Sequence, residues 1–271
     1  MLAIVNETIV TVKNAPSDDA IRIDEIFLGM AVNILWDDVN NYCYIETEYN
    51  YKGYINKKSL IIKKDKVNNW IDNANYMVNG EYVDILDNIP YDSKKIISAM
   101  RGSRLAMTGK KSKIRSQVSL PDSRKGWIRN EFLKRIEEPS FRKIEDIRSE
   151  IVDNALKYLG KQFRWGGKSP HGLDSSGLTS MVYFLSGLKI WRDSDLLDES
   201  LIRIKKAELK HGDLIFGKAH TAIYLGDNKF INASAVDAKV VIKSINENDK
   251  EYDDIFSDEN TIYACHKLLR G

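Results

Sequence analysis

Cysteine is scarce: Cys43 and Cys265 are the only two in 271 residues, and they fit no metal-ligand or redox spacing. A disulfide-stapled scaffold is not expected, and both thiols read as core residues. Long hydrophobic runs are missing as well. The longest apolar stretch is a handful of residues, against the roughly 20 that a membrane-spanning helix needs, so no membrane association is expected. There is no surplus of either charge. With 41 basic and 39 acidic residues interspersed, the formal net charge is +2, which provides no footprint for nucleic acid. Short basic runs such as Lys57-Lys58 and Lys63-Lys64 read as solvated faces. The segment from Met1 to Thr8 lacks the basic start, apolar core and small-residue cleavage site of a secretory leader. Taking Met1 as the start, a cytoplasmic protein is expected.

What is present is the balance of a soluble globular chain, 43% hydrophobic and 30% charged. The length suits two or three domains. An offset of 73 residues lays the first half on itself: Tyr51-Lys52-Gly53-Tyr54-Ile55 falls on Arg124-Lys125-Gly126-Trp127-Ile128, and Gly29 falls on Gly102. Each copy opens on an alternating strand (Ile9, Val10, Val12; Val83, Ile85, Leu86). A proline-bearing loop, a glycine turn and two more strands follow. Short strands with close turn signals predict two small all-β barrels, 1–62 and 77–137, joined by a linker or short helix over 63–76. Gly53, Tyr54, Gly126 and Trp127 read first as turn and core residues.

From residue 141 the period changes. Ile144, Ile147, Ile151, Ala155 and Tyr158 recur at helical spacing ahead of Gly160. A second apolar helix follows Asp174-Ser175-Ser176-Gly177 and runs to about Leu185. Strands are predicted at 214–216, 220–226 and 229–234. Two motif matches fail. Gly166-Gly167-Lys168-Ser169 cannot end a phosphate loop, because Gln162 stands where the first glycine belongs and Pro170 blocks the helix that must follow. Ser175 lacks the glycine two residues before it that a serine-hydrolase elbow requires, since Leu173 is there.

The order of residues in this half still makes chemical sense. A nucleophile at a helix N-terminus has its anion stabilised by free N–H groups and the helix dipole. His220 on a following strand can take its proton, and Asn232 on the next strand can hold the second imidazole nitrogen. Phe163-Arg164-Trp165-Gly166-Gly167, Asp174-Ser175-Ser176-Gly177, His220-Thr221-Ala222-Ile223-Tyr224-Leu225-Gly226 and Phe230-Ile231-Asn232-Ala233-Ser234 stand in the order of the signature of the NlpC-type cell-wall peptidases, which this half resembles. The resemblance implies an α+β papain-like thiol-peptidase domain over 141–271. The first half resembles bacterial SH3-like domains attached to wall-lytic enzymes.

In that family cysteine occupies the place of Ser175, and histidine is common at the place of Asn232. An alcohol cannot form the resting ion pair that a thiol can, so the chain as it stands is expected to be nearly inactive. The intact surroundings favour an introduced serine; a natural pseudoenzyme or a peptidoglycan-fragment binding module is the alternative.

Two barrels ahead of such a domain resemble the γ-D-glutamyl-L-diamino-acid endopeptidases. That likeness implies a murein peptide substrate with a free N-terminal L-Ala, cleavage at the bond from γ-D-Glu to meso-diaminopimelate or lysine, release of L-Ala-D-Glu, and a place in murein recycling. It also implies that Trp165, Asp174 and Ser176 contact the substrate around the nucleophile and that Asp193 and Ser194 complete the pocket. The stretch after Arg-Asp-Ser departs from the family's pattern at Leu196 and Leu197. Tyr54, with Asp19, is the candidate contribution from the first barrel. Neither a metal nor an organic cofactor is called for, and a monomer is expected.

Overall fold

A computed structural model describes residues 1–37, 41–194 and 199–270. Leu196 and Leu197 lie outside the described residues. The chain divides into two compact units, Met1–Ile136 and Glu137–Gly271.

Period-two patterning builds the first unit. In β2 Val10 and Val12 are buried while their neighbours are half-exposed. The first barrel comprises β1 (Leu2–Val5), β2 (Ile9–Lys13), β3 (Arg22–Phe27), β4 (Ala31–Asp37), β5 (Tyr42–Thr47), β6 (Lys52–Asn56) and β7 (Leu60–Ile61), paired in the order β3-β2-β6-β5-β4-β1-β7. After α1 (Lys64–Asn73) the second comprises β8 (Tyr76–Val78), β9 (Tyr82–Leu86), β10 (Lys95–Met100), β11 (Arg104–Lys111), β12 (Arg115–Ser119), β13 (Lys125–Arg129) and β14 (Leu133–Arg135). Its order, β10-β9-β13-β12-β11-β8-β14, repeats the first strand for strand. The sequence pattern opens each barrel one strand late. β1 and β8 precede the alternating strands and pair with the last strand of their own barrel; at three or four residues they are too short to display a period.

The segment expected as a linker or short helix is a packed helix. Val67 and Trp70 of α1 are buried with Ile4 and Ala106, and the Trp70 indole donates to the Gly29 carbonyl at 2.9 Å. Gly29 has φ +79°, and a Cβ there would lie 2.2 Å from the Arg104 carbonyl oxygen, so both conformation and space demand glycine. The Arg104 N–H in turn donates to the Leu28 carbonyl at 2.8 Å. Leu28 of the first repeat is thereby part of the core of the second.

In the second unit α2 (Ile144–Leu156) is followed by a hairpin of β15 (Lys168–Ser169) and β16 (Gly172–Leu173), then α3 (Ser175–Leu185). β17 (Leu201–Ile204), β18 (Leu214–Gly217), β19 (His220–Gly226), β20 (Lys229–Ser234), β21 (Lys239–Ser244) and β22 (Ile262–His266) form one sheet in the order β17-β22-β18-β19-β20-β21. Every residue of α3 is buried, and the helix packs against α2, β19 and β20. The architecture is two SH3-like barrels followed by an α+β papain-like domain. Among the described residues no helix is long and apolar enough to cross a membrane.

Candidate active site

The site is organised by the start of α3. Asp174 is its N-cap, extended at φ −91°, ψ 177°, and its carboxylate accepts from the Gly177 N–H at 2.6 Å. Such a cap satisfies one of the helix's orphan donors and contributes about 1 kcal/mol. It leaves Ser175 as the first helical residue, 6% exposed, at the positive end of an eleven-residue helix. The hairpin of β15 and β16 delivers the chain into this cap, and the second Asp174 oxygen accepts from the Gly166 N–H at 2.7 Å. Gly177 is forced by space: a Cβ there would sit 2.0 Å from the Gly167 carbonyl oxygen. The glycines around the serine thus allow a turn and a helix tip to touch.

Sequence patterning did not place Arg192 in the site. Its side chain is 1% exposed. One terminal nitrogen donates to Asp174 at 3.0 Å and to the Ser176 hydroxyl at 2.9 Å, and the other reaches Asp174 and the Gly167 carbonyl, each at 3.3 Å. The available signal was its place just before Asp193 and Ser194. Asp174, expected to contact substrate, already has both oxygens engaged by Gly166, Gly177 and Arg192. Ser176, also expected to contact substrate, is 8% exposed and donates to Asp174 at 3.3 Å. Trp165 lies two residues before Gly167 and is 67% exposed, whereas Asp193 is exposed and Ser194 half-buried.

His220 opens β19, paired with Gly217 of β18. Ile223 of β19 pairs with Ile231 of β20. Continued along the strands, that register sets Asn232 opposite Ala222, on the sheet face that alternation also assigns to His220. Asn232 is 2% exposed. The His220 Nδ1 and the Asn232 Oδ1 are both buried without a hydrogen-bond partner among the described residues. A buried polar atom left unpaired costs about 1–3 kcal/mol, and hydrogen bonds that work in catalysis are often open before substrate arrives.

Tyr54 belongs to the other unit. It lies on β6 with its ring 4.8 Å from that of Tyr44, which stacks on Trp36 at 4.3 Å. Asp19 is exposed; its neighbour Asp18 accepts from the Tyr42 hydroxyl at 2.5 Å. Among the described residues no group of three or more His, Cys, Asp or Glu is placed to hold a metal ion.

Residues 160–254 match the sequence profile of the NlpC/P60 family. Dipeptidyl-peptidase 6 of Lysinibacillus sphaericus is 32% identical over 252 residues, 91% of this chain and 93% of that protein. The gamma-D-glutamyl-L-lysine dipeptidyl-peptidase of Bacillus cereus is 27% identical over 211 residues, 73% of this chain and 61% of that protein. A crystal structure of an NlpC/P60 family protein from Bacillus cereus shares the fold with a TM-score of 0.79 at 20% identity, across 99% of this chain and 100% of that one. With a cap, helix tip and strand pair in the family's order, and a relative matched along nearly its whole length, the chain belongs to the NlpC/P60 family.

Proposed function

We propose that the second unit holds the site of a papain-like peptidase that cuts murein peptides at the bond from γ-D-Glu to a diamino acid. The observation that carries this reading is the tip of α3, where a buried position 175 is the first helical residue after the Asp174 cap. In the reading, a cysteine thiolate at 175 attacks the side-chain carbonyl carbon of D-Glu. The helix tip stabilises the oxyanion. His220 passes its proton to the departing amine of the diamino acid, Asn232 orients the imidazole, and water then cleaves the thioester to release L-Ala-D-Glu. Trp165 lines the approach to position 175. Asp193, with Ser194 beside it, receives the ammonium of L-Ala, a charge that needs an ionic and hydrogen-bonded partner once desolvated.

With serine at 175 the chemistry stalls, because the alcohol does not ionise near neutrality. The Ser175→Cys variant is therefore expected to cleave L-Ala-γ-D-Glu-L-Lys and to spare the same peptide acetylated on its amine. An unreactive free tripeptide would remove the substrate assignment, and equal cleavage of both would remove the Asp193 pocket. Ser175 itself favours a second reading, a binding module for peptidoglycan fragments. Under it, the chain with Ser175 holds the tripeptide as tightly as the Ser175→Cys variant does and neither form cuts it.

A further inference from the structure

We infer that Arg192 is a positioning residue of this site, holding the tip of α3, the Gly166-Gly167 turn and the Asp193-Ser194 segment in one register; the inference rests on the hydrolase reading above. Three separate stretches of chain meet on one guanidinium. It donates to the Asp174 cap, to Ser176 on the far side of position 175, and to the carbonyl of Gly167. The Gly167 carbonyl is also the atom pressed against Gly177, and Asp174 grips the turn through the Gly166 N–H. Arg192 is next in sequence to Asp193, so the segment assigned to the substrate's amine is anchored beside the nucleophile by the same side chain.

A planar fork can span these oxygens and a lysine ammonium cannot. The charge matters as much as the shape. Without Arg192 the Asp174 carboxylate would be a buried, uncompensated anion one residue before the nucleophile, and a like charge at that distance disfavours a thiolate. A residue that only filled space would have neither effect.

The test uses the full chain carrying Ser175→Cys as parent. Alkylation of the thiol introduced at position 175 by iodoacetamide is followed by mass spectrometry at neutral pH, with buried Cys43 and Cys265 as internal controls. Arg192→Met, which keeps the bulk, is expected to slow alkylation at least tenfold, and Arg192→Lys to fall between it and the parent, with thermal melts showing both folded. Alkylation of folded Arg192→Met within twofold of the parent overturns the inference. If that variant does not fold, Ser176→Ala removes one acceptor while keeping the Arg192–Asp174 pair. A severalfold slower reaction then supports the inference, and the parent's rate overturns it. Because no peptide enters this assay, a parent that alkylates quickly yet leaves the tripeptide whole discards the substrate reading alone.

Discussion

Among the described residues the papain-like domain buries two arginine–aspartate pairs, and they serve different ends. Arg148 of α2 meets Asp213 just ahead of β18 at 2.8 Å, with the two side chains 3% and 1% exposed. Its remaining terminal donors close on the carbonyls of His211 and Leu269 at 2.9 and 3.0 Å. The neighbouring Gly212 carbonyl accepts from the Tyr183 hydroxyl of α3 at 2.6 Å. This pair ties α2, the turn before β18 and the chain's last residues into the scaffold. Arg192 and Asp174 use the same chemistry around position 175, and there the acceptors are a turn carbonyl, a cap and a hydroxyl. Position in the fold, more than the chemistry of the pair, decides which one governs reactivity.

Breaking the scaffold pair has the largest expected effect. Arg148→Met leaves Asp213 buried and unpaired and should cost about 3–5 kcal/mol in denaturant unfolding. In the Ser175→Cys background it should leave alkylation at position 175 near the parent's rate, and a tenfold change would erase the distinction between the two pairs. At the site pole, Gly177→Ala forces a methyl against the Gly167 carbonyl, so a loss of roughly 1–3 kcal/mol is expected. Peptide cleavage should fall with it, and unchanged melting would show that the turn yields freely. Tyr183→Phe removes the donor to Gly212 inside a buried contact, with an expected loss of about 1 kcal/mol and no effect on alkylation.

The smallest effect is a trend with pH. Burial pushes the Asp213 carboxyl above the usual range, outweighing the Lys210 N–H and Arg148 that pull it down. A raised folded-state value means that its contribution to stability is complete below the unfolded carboxyl's pKa and is lost as pH rises through the folded one. Melting of the chain relative to its Asp213→Asn variant should therefore shift against the unsubstituted chain as pH climbs through that window. The opposite slope would show that the ion pair outweighs burial.

The barrels show how far patterning reaches. The 73-residue repeat anticipates one topology used twice, since strand alternation and turn glycines are local signals. It conceals a difference between the copies. Trp36, Tyr44 and Tyr54 form an aromatic ladder in the first barrel, where the second has Gly109, Gln117 and Trp127. Among the strands that escaped notice, β1, β7, β8 and β14 are only two to four residues long, and β17 lies next to a partner distant in sequence. β22 pairs on both sides, with β17 and β18.

In the site, the helix N-terminus at Asp174-Ser175-Ser176 and the strands bearing His220 and Asn232 were legible from the chain alone. Each rests on spacing within a few residues, and local backbone physics acts at that range. Arg192 was not legible. Nothing near it in sequence says that its guanidinium will be buried against Gly167, Asp174 and Ser176, because a residue 16 to 25 positions away becomes a neighbour only when turn, helix and loop pack together. Tertiary structure alone decided that Asp174, expected to contact substrate, would be a helix cap and half of a buried ion pair beside position 175, since a buried charge must find its counter-charge wherever the fold brings one.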